Sequence, residues 1–165
     1  MGKINTRRKN KSNVKQKIRN AQALSYYGIQ FKSKLELYTY KKLKEANIRF
    51  GYEKHKFELL EKFDYNGKSM EMFKRNGVKI FDWQRPHIRS MSYLPDFADL
   101  RNKWIIECKG HPNDAFPIKW KMFKKYMNEN HPGFTLYMPR NQKQVDITVQ
   151  HIKDNDKKLL RRKSS

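Results

Sequence analysis

Residues 93–109, reading YLPDFADLRNKWIIECK, constrain the fold more than any other stretch of this chain. Two apolar runs, Tyr93–Leu100 and Lys103–Lys109, are separated only by Arg101-Asn102, which predicts two strands joined by a tight turn. Side chains alternate along a strand, so Trp104, Ile106 and Cys108 share one face while Ile105, Glu107 and Lys109 share the other. The short turn brings Asp96 back beside Glu107. Two acids and a lysine therefore meet at one sheet edge.

The rest of the chain arranges itself around that pair. Ser33 followed by Glu36 reads as a capping box opening a helix over Ser33–Asn47, with Leu35, Leu37, Tyr38, Tyr40, Leu43 and Ala46 apolar. Ile48–Tyr52 and Lys56–Leu60 read as strands. Asn66-Gly67 and Asn76-Gly77 are turn signals inside residues 61–92, which form an insertion of two short hairpins or one hairpin with an extended rim. Gly110, Pro112 and Asn113 break the chain. Pro117 then suits the start of a helix reaching about Asn130, with Ile118, Met122 and Tyr126 on its apolar stripe and Trp120, Phe123 and Met127 widening it. Phe134–Met138 and Val145–Val149 alternate as two more strands. The expected fold class is α/β: a mixed sheet flanked by helices over residues 25–152, with a basic flexible arm at 1–24 and a basic tail at 153–165.

Charge narrows the function classes. The 165 residues hold 38 Lys and Arg against 16 Asp and Glu, a formal charge of +22. Residues 1–35 contain ten basic residues and no acid; residues 36–152 still hold 22 basic against 14 acidic residues, net +8. Such an excess calls for a polyanion. A membrane is the poorer candidate, because no apolar run approaches the roughly 20 residues that span a bilayer and the N-terminus has no apolar core of a secretory signal. The single cysteine, Cys108, excludes an internal disulfide framework and points to a reducing, cytoplasmic setting. Nucleic acid remains.

Phosphodiester hydrolysis explains why acids and a lysine would be gathered in a basic chain. A hard divalent cation neutralises the phosphate and makes hydroxide near neutral pH, and carboxylate oxygens suit Mg²⁺. A lysine beside it orients the attacking water or stabilises the charged transition state. Glu36, on a helical stripe with Tyr40 and Leu43, could add a third carboxylate.

The combination of Pro95-Asp96, ten intervening residues and Glu107-Cys108-Lys109 resembles the PD-(D/E)XK nuclease signature. Residues 31–36 (FKSKLE), Gly51-Tyr52-Glu53, the block 93–110 and Glu129-Asn130-His131-Pro132 resemble the phage endonuclease I family of Holliday-junction resolvases. That resemblance implies a restriction-endonuclease-like core, Mg²⁺ or Mn²⁺ dependence, and a homodimer cutting branched DNA in the cytoplasm, the host's if the gene is a phage's. It implies metal roles for Asp96, Glu107 and Glu36, with the Cys108 backbone carbonyl as an extra ligand and Lys109 as base or electrostatic partner. The stretch between Lys54 and Tyr93 departs from the family in being longer, in the region where family members bridge their dimer.

Each assignment has a plainer counterpart. Glu36 is fully explained as a capping residue, Cys108 as a small buried side chain, and an acidic-lysine strand end as a solvated face. The scattered His55, His87, His131 and His151 lack zinc-ligand spacing, and His111 reads as a solvated loop residue. Arg7, Arg8, Lys9, Lys11, Lys32, Lys34, Lys119, Lys121, Lys124 and Lys125 are the expected phosphate contacts. Tyr26, Tyr27, Trp83 and Trp120 could stack on exposed bases, Trp120 being the one better suited to the core. Alternative functions are a nuclease acting on duplex or nicked DNA, and a non-catalytic nucleic-acid-binding protein of the same fold.

Overall fold

The computed structural model describes residues 24–84, 86–110 and 115–163, with side chains through 157. The arm expected at residues 1–23 lies outside them. The first described element is a hairpin of β1 (Leu24–Tyr26) and β2 (Ile29–Phe31). Its two turn residues, Tyr27 and Gly28, both have positive φ, 49° and 77°. Such a turn matches the right-handed twist of the strands it joins.

Helix α1 (Lys34–Glu45) begins where the sequence predicts, with Ser33 as N-cap accepting from the Glu36 N–H. It turns Glu36, Thr39, Tyr40 and Leu43 inward. Asn47 ends the segment in the left-handed region, φ 53°, which asparagine tolerates. Only Gly51–Tyr52 (β3) of the following expected strand pairs.

Residues 57–93 make one long antiparallel ribbon. β4 (Phe57–Leu60) pairs with β9 (Met91–Tyr93), β5 (Phe63–Asp64) with β8 (His87–Ile88), and β6 (Ser69–Arg75) with β7 (Val78–Gln84). Asn76-Gly77 closes the tip, with φ of 50° and 82°. Asn66-Gly67 is a bend between β5 and β6 and closes no hairpin. The single-hairpin alternative is the one adopted.

Phe97–Asp99 (β10) and Trp104–Ile106 (β11) form the predicted tight hairpin. The expected strand over Tyr93–Leu100 is split: Tyr93 closes the ribbon, and Leu94-Pro95-Asp96 leads into β10. Proline supplies no N–H for a ladder, which accounts for the break. Helix α2 (Phe116–Asn130) carries the chain across to β12 (Thr135–Tyr137), which lies parallel to β11. The sheet order is β12-β11-β10-β3. β10 and β11 are thus central strands, and the acids stand at a strand end inside the sheet, not along its edge.

The last element corrects the sequence reading. Val145–Val149 is no strand; it lies in helix α3 (Gln142–Lys163), which continues through most of the stretch set apart as a tail. Val145, Val149 and Ile152 are buried at i, i+4 and i+7, so the helical period wins once the window passes residue 149. The mixed sheet carries helices on both faces. Phe97, Trp104, Ile106 and Cys108 pack with Phe31, Tyr40 and Leu43 and with Val145, Val149 and Ile152, that is, against α1 and α3. Ala98 and Ile105 pack with Phe116, Phe123 and Met127 of α2 and with Phe57 and Tyr93. On α2 the buried stripe is Phe116, Phe123 and Met127; Ile118, expected inside, is 66% exposed. No described helix is long and apolar enough to cross a membrane.

Candidate functional site

The site begins with the turn that sets the register of β10 and β11. Buried Asp99 accepts from the Arg101 N–H (2.9 Å) and the Asn102 N–H (3.4 Å) at Oδ1, and from the Asn102 amide at Oδ2 (3.2 Å). Phe97 is thereby paired with Ile106, and one step further Asp96 reaches the Glu107–Cys108 segment. The Cys108 N–H donates to Asp96 Oδ2 at 2.6 Å, and the Glu53 N–H donates to the Asp96 carbonyl at 2.8 Å. Asp96 is held from both sides.

β11 keeps its extended path beyond Ile106. The Glu107 and Lys109 N–H groups donate to the Tyr137 and Pro139 carbonyls, 3.0 and 3.1 Å, so the alternation predicted from KWIIECK persists to Lys109. Lys109 Nζ lies 3.7 Å from Glu107 Oε1 and 4.4 Å from the centre of the Phe116 ring. Cys108 points the other way, 3.2 Å from Thr39 Oγ1 in the core. Burial pushes its thiol well above the ordinary range, which suits a packing residue and not a nucleophile.

Glu36 arrives from α1 and is buried. Its Oε1 accepts from the Ser33 hydroxyl (2.8 Å); its Oε2 accepts from the Lys32 N–H (3.0 Å) and the Tyr52 hydroxyl (2.8 Å). The capping reading is therefore satisfied in full. Yet a capping carboxylate needs no burial, and this one is close enough to raise the pKa of both Asp96 and Glu107.

Burial is the main influence on both central acids. It pushes Asp96 up to about 8, helped by the charges of Glu107 and Glu36 and opposed by the Cys108 N–H. Burial raises Glu107 as well, opposed chiefly by Lys109. Glu107 Oε2 and the Tyr93 hydroxyl are both buried, and neither has a hydrogen-bond partner beyond the other. They face each other closely enough for Glu107 to reinforce the burial that raises the phenol pKa. A buried carboxylate oxygen with no donor but a phenol, two paired acids and a single nearby ammonium fit a hard divalent cation. Asp96 and Glu107 are the oxygen donors best placed to hold it. Among the described residues, no three His, Cys, Asp or Glu side chains form a metal-binding group, so a cation held here would be completed by water or phosphate.

The structure brings Glu36, Asp96, Glu107 and Lys109 into one neighbourhood and adds three residues without a predicted role. Tyr93 faces Glu107, Tyr52 binds Glu36, and Glu53, at φ 43°, forms an ion pair with Lys32. Gly51-Tyr52-Glu53 was visible as a motif; nothing in the spacing of Tyr93 and Glu107 announces their meeting.

The expected phosphate contacts fare unevenly. Lys32 and Lys34 are both exposed, and Lys32 is engaged by Glu53, whose hydrogen bond raises its pKa. On α2, Lys119 is half-buried, Lys121 and Lys124 are exposed, and Lys125 lies 3.8 Å from Glu129. Arg7, Arg8, Lys9, Lys11 and His111 fall outside the described residues. Of the stacking candidates, Tyr27 (85%) and Trp83 (60%) are exposed, while Trp120 packs beside Tyr93, Phe116 and Phe123 and Tyr26 against Tyr40. No family model matches this chain, and neither does any curated protein or solved structure.

Proposed function

We propose that this protein is a metal-dependent DNA endonuclease of the PD-(D/E)XK class, with a restriction-endonuclease-like core, acting as a homodimer on branched DNA in the manner of a Holliday-junction resolvase. One observation carries the reading: two buried acids, Asp96 and Glu107, stand at the end of adjacent central strands with Lys109 on the same face. An ordinary protein interior avoids such a pair, because burying like charges together is costly.

Asp96 and Glu107 would hold Mg²⁺ or Mn²⁺, with Glu36 and the Cys108 carbonyl as the further ligands that the resemblance implies. The cation supplies charge neutralisation and a hydroxide source near neutral pH. Lys109 does what the protein itself must do. Its ammonium, fixed between Glu107 and the Phe116 ring, orients the attacking water and balances charge gathering on the phosphate. Hydrolysis forms one P–O bond from water and breaks the bond to the leaving oxygen. The basic excess binds the backbone and gives the salt dependence.

One observation favours a silent nucleic-acid-binding protein instead: every oxygen of Glu36 already has a protein donor. Cleavage decides between them. End-labelled four-way junction, duplex, nicked duplex, single strand and RNA should be incubated with Mg²⁺ or EDTA, for wild type and Asp96→Asn. Paired symmetric cuts at the junction, lost in the variant, are the expected result. Cuts in plain or nicked duplex would keep the nuclease and drop the junction. Tight binding with no cation-dependent cleavage of any substrate would leave only the silent protein.

A further inference from the structure

The ribbon of residues 57–93 has two chemically opposite faces at its outer end. In β6 and β7 the directly opposed residues share a face, so Met70/Trp83, Met72/Phe81 and Lys74/Lys79 lie together on one side. The four apolar side chains are 45–62% exposed. The other side carries Glu71 opposite Asp82, with Phe73/Ile80 and Arg75/Val78 nearer the tip. Two acids directly opposed on a two-stranded ribbon repel each other, and neither has an ion-pair partner among the described residues. The face ending in lysines is therefore the one a polyanion meets without an opposing acid.

We propose that this face is the surface on which DNA with unstacked bases at a branch docks, Lys74 and Lys79 taking phosphates while Phe81 and Trp83 stack on the exposed bases beside Met70 and Met72. The assignment of branched DNA rests on the nuclease reading; the face's chemistry does not. A two-stranded ribbon fits a DNA major groove, apolar wedges and aromatic platforms hold unstacked bases, and lysines hold the backbone. Position agrees. The seven pairs of β6 and β7 extend roughly 20 Å, and the ribbon is rooted at Tyr93, whose hydroxyl faces Glu107. The arm that carries the face is thus continuous with the strand pair whose base reaches the site. A second copy of the chain is the poorer occupant: four side chains fall well short of the roughly 20–30 residues a side of a stable interface.

The test is binding by the full chain in EDTA, so that cleavage plays no part, to a four-way junction and a duplex of equal length. Both carry 2-aminopurine, at the branch in the junction. Phe81→Ala with Trp83→Ala should weaken junction binding roughly tenfold to a hundredfold, leave duplex binding within about twofold, and abolish the fluorescence change at the branch. Lys74→Ala with Lys79→Ala should weaken both and lower the salt slope by about two. Phe73→Ala, on the acidic face, should change neither. Unaltered junction preference in the aromatic pair would overturn the proposal. So would an equal loss in Phe73→Ala, which would make ribbon integrity the cause, or conversion of a dimer to a monomer in sedimentation equilibrium, which would make the face a contact between copies. Absence of cation-dependent cleavage with junction preference intact would instead remove the nuclease reading and leave the arm.

Discussion

Helices α1 and α3 start in the same way, and the difference between their starts is instructive. At α1, Ser33 Oγ accepts from the Glu36 N–H, and Glu36 Oε2 reaches back to the N–H of Lys32. At α3, Asn141 Oδ1 accepts from the Gln144 N–H (2.9 Å), and Gln144 Oε1 reaches back to the N–H of Arg140 (2.7 Å). Each is a capping box displaced by one residue, satisfying donors that a helix start leaves open. Gln144 is neutral and exposed; Glu36 is charged, buried, and takes a third donor from Tyr52. A glutamine suffices for the cap. The charge at Glu36 is surplus to capping, and its neighbours are Asp96 and Glu107.

The largest effects should come from the acids and lysine that α3 has no counterpart for. Asp96→Asn and Lys109→Ala are each expected to lower cleavage by about 10²–10⁴-fold while DNA affinity in EDTA changes less than twofold, since one charge among 38 is a small part of the polyanion contact. Normal cutting by Lys109→Ala would show that the site is misassigned.

Glu36→Gln tests the comparison directly, because it converts the α1 cap into the α3 cap. Cleavage should fall roughly tenfold to a hundredfold, as for loss of a ligand-supporting group, with the thermal midpoint little changed. Gln144→Glu should leave both untouched. Equal cleavage by wild type and Glu36→Gln would reduce Glu36 to a cap.

Tyr93→Phe should weaken Mn²⁺ binding by roughly tenfold, read by titration calorimetry, because it removes the hydroxyl facing the buried Glu107 oxygen. The same thermogram for both proteins would make Tyr93 a packing residue only.

The pH dependence of stability follows from Asp96. Its folded-state pKa, about 8, lies above its ordinary 3.8, so its contribution is fully present below about pH 4 and is lost as pH rises through 8. Without cations, Asp96→Asn should therefore melt a few degrees above wild type at pH 9, the advantage shrinking as pH falls and disappearing by about pH 4. Added Mg²⁺ should raise the wild-type midpoint more at pH 8 than at pH 6, where protons compete for the carboxylate, and should do little for the variant. An Mg²⁺ effect independent of pH would place the cation elsewhere.

Smallest of all, Ser33→Ala and Asn141→Ala should each cost about 1 kcal/mol in denaturant unfolding.

The α1 start, the hairpin of β10 and β11, and the inward and outward residues of KWIIECK were all legible in the sequence, because each depends on neighbours within a few positions. Helix α3 was not, although Asn141 and Gln144 spell the same kind of cap as Ser33 and Glu36. The alternation of Val145, Ile147 and Val149 imitates a strand, and the 3.6-residue period shows only in a window that reaches Ile152, which packs with Val145 and Val149 against α1 and the sheet. Ile118 failed for a related reason: a helix as apolar as α2 has more than one possible stripe, and the sheet chooses among them.

By itself, then, the sequence determined the start of α1, the basic excess of the chain, and the register that sets Asp96 beside Glu107 across the turn between β10 and β11. Tertiary structure alone decided that Glu36 is buried beside those acids, that Tyr93 faces Glu107 while rooting the ribbon, and that the acids end central strands. Local periodicity encodes which face a residue takes within its own element. Which elements then meet depends on contacts between residues far apart in the chain, and no local pattern carries that information.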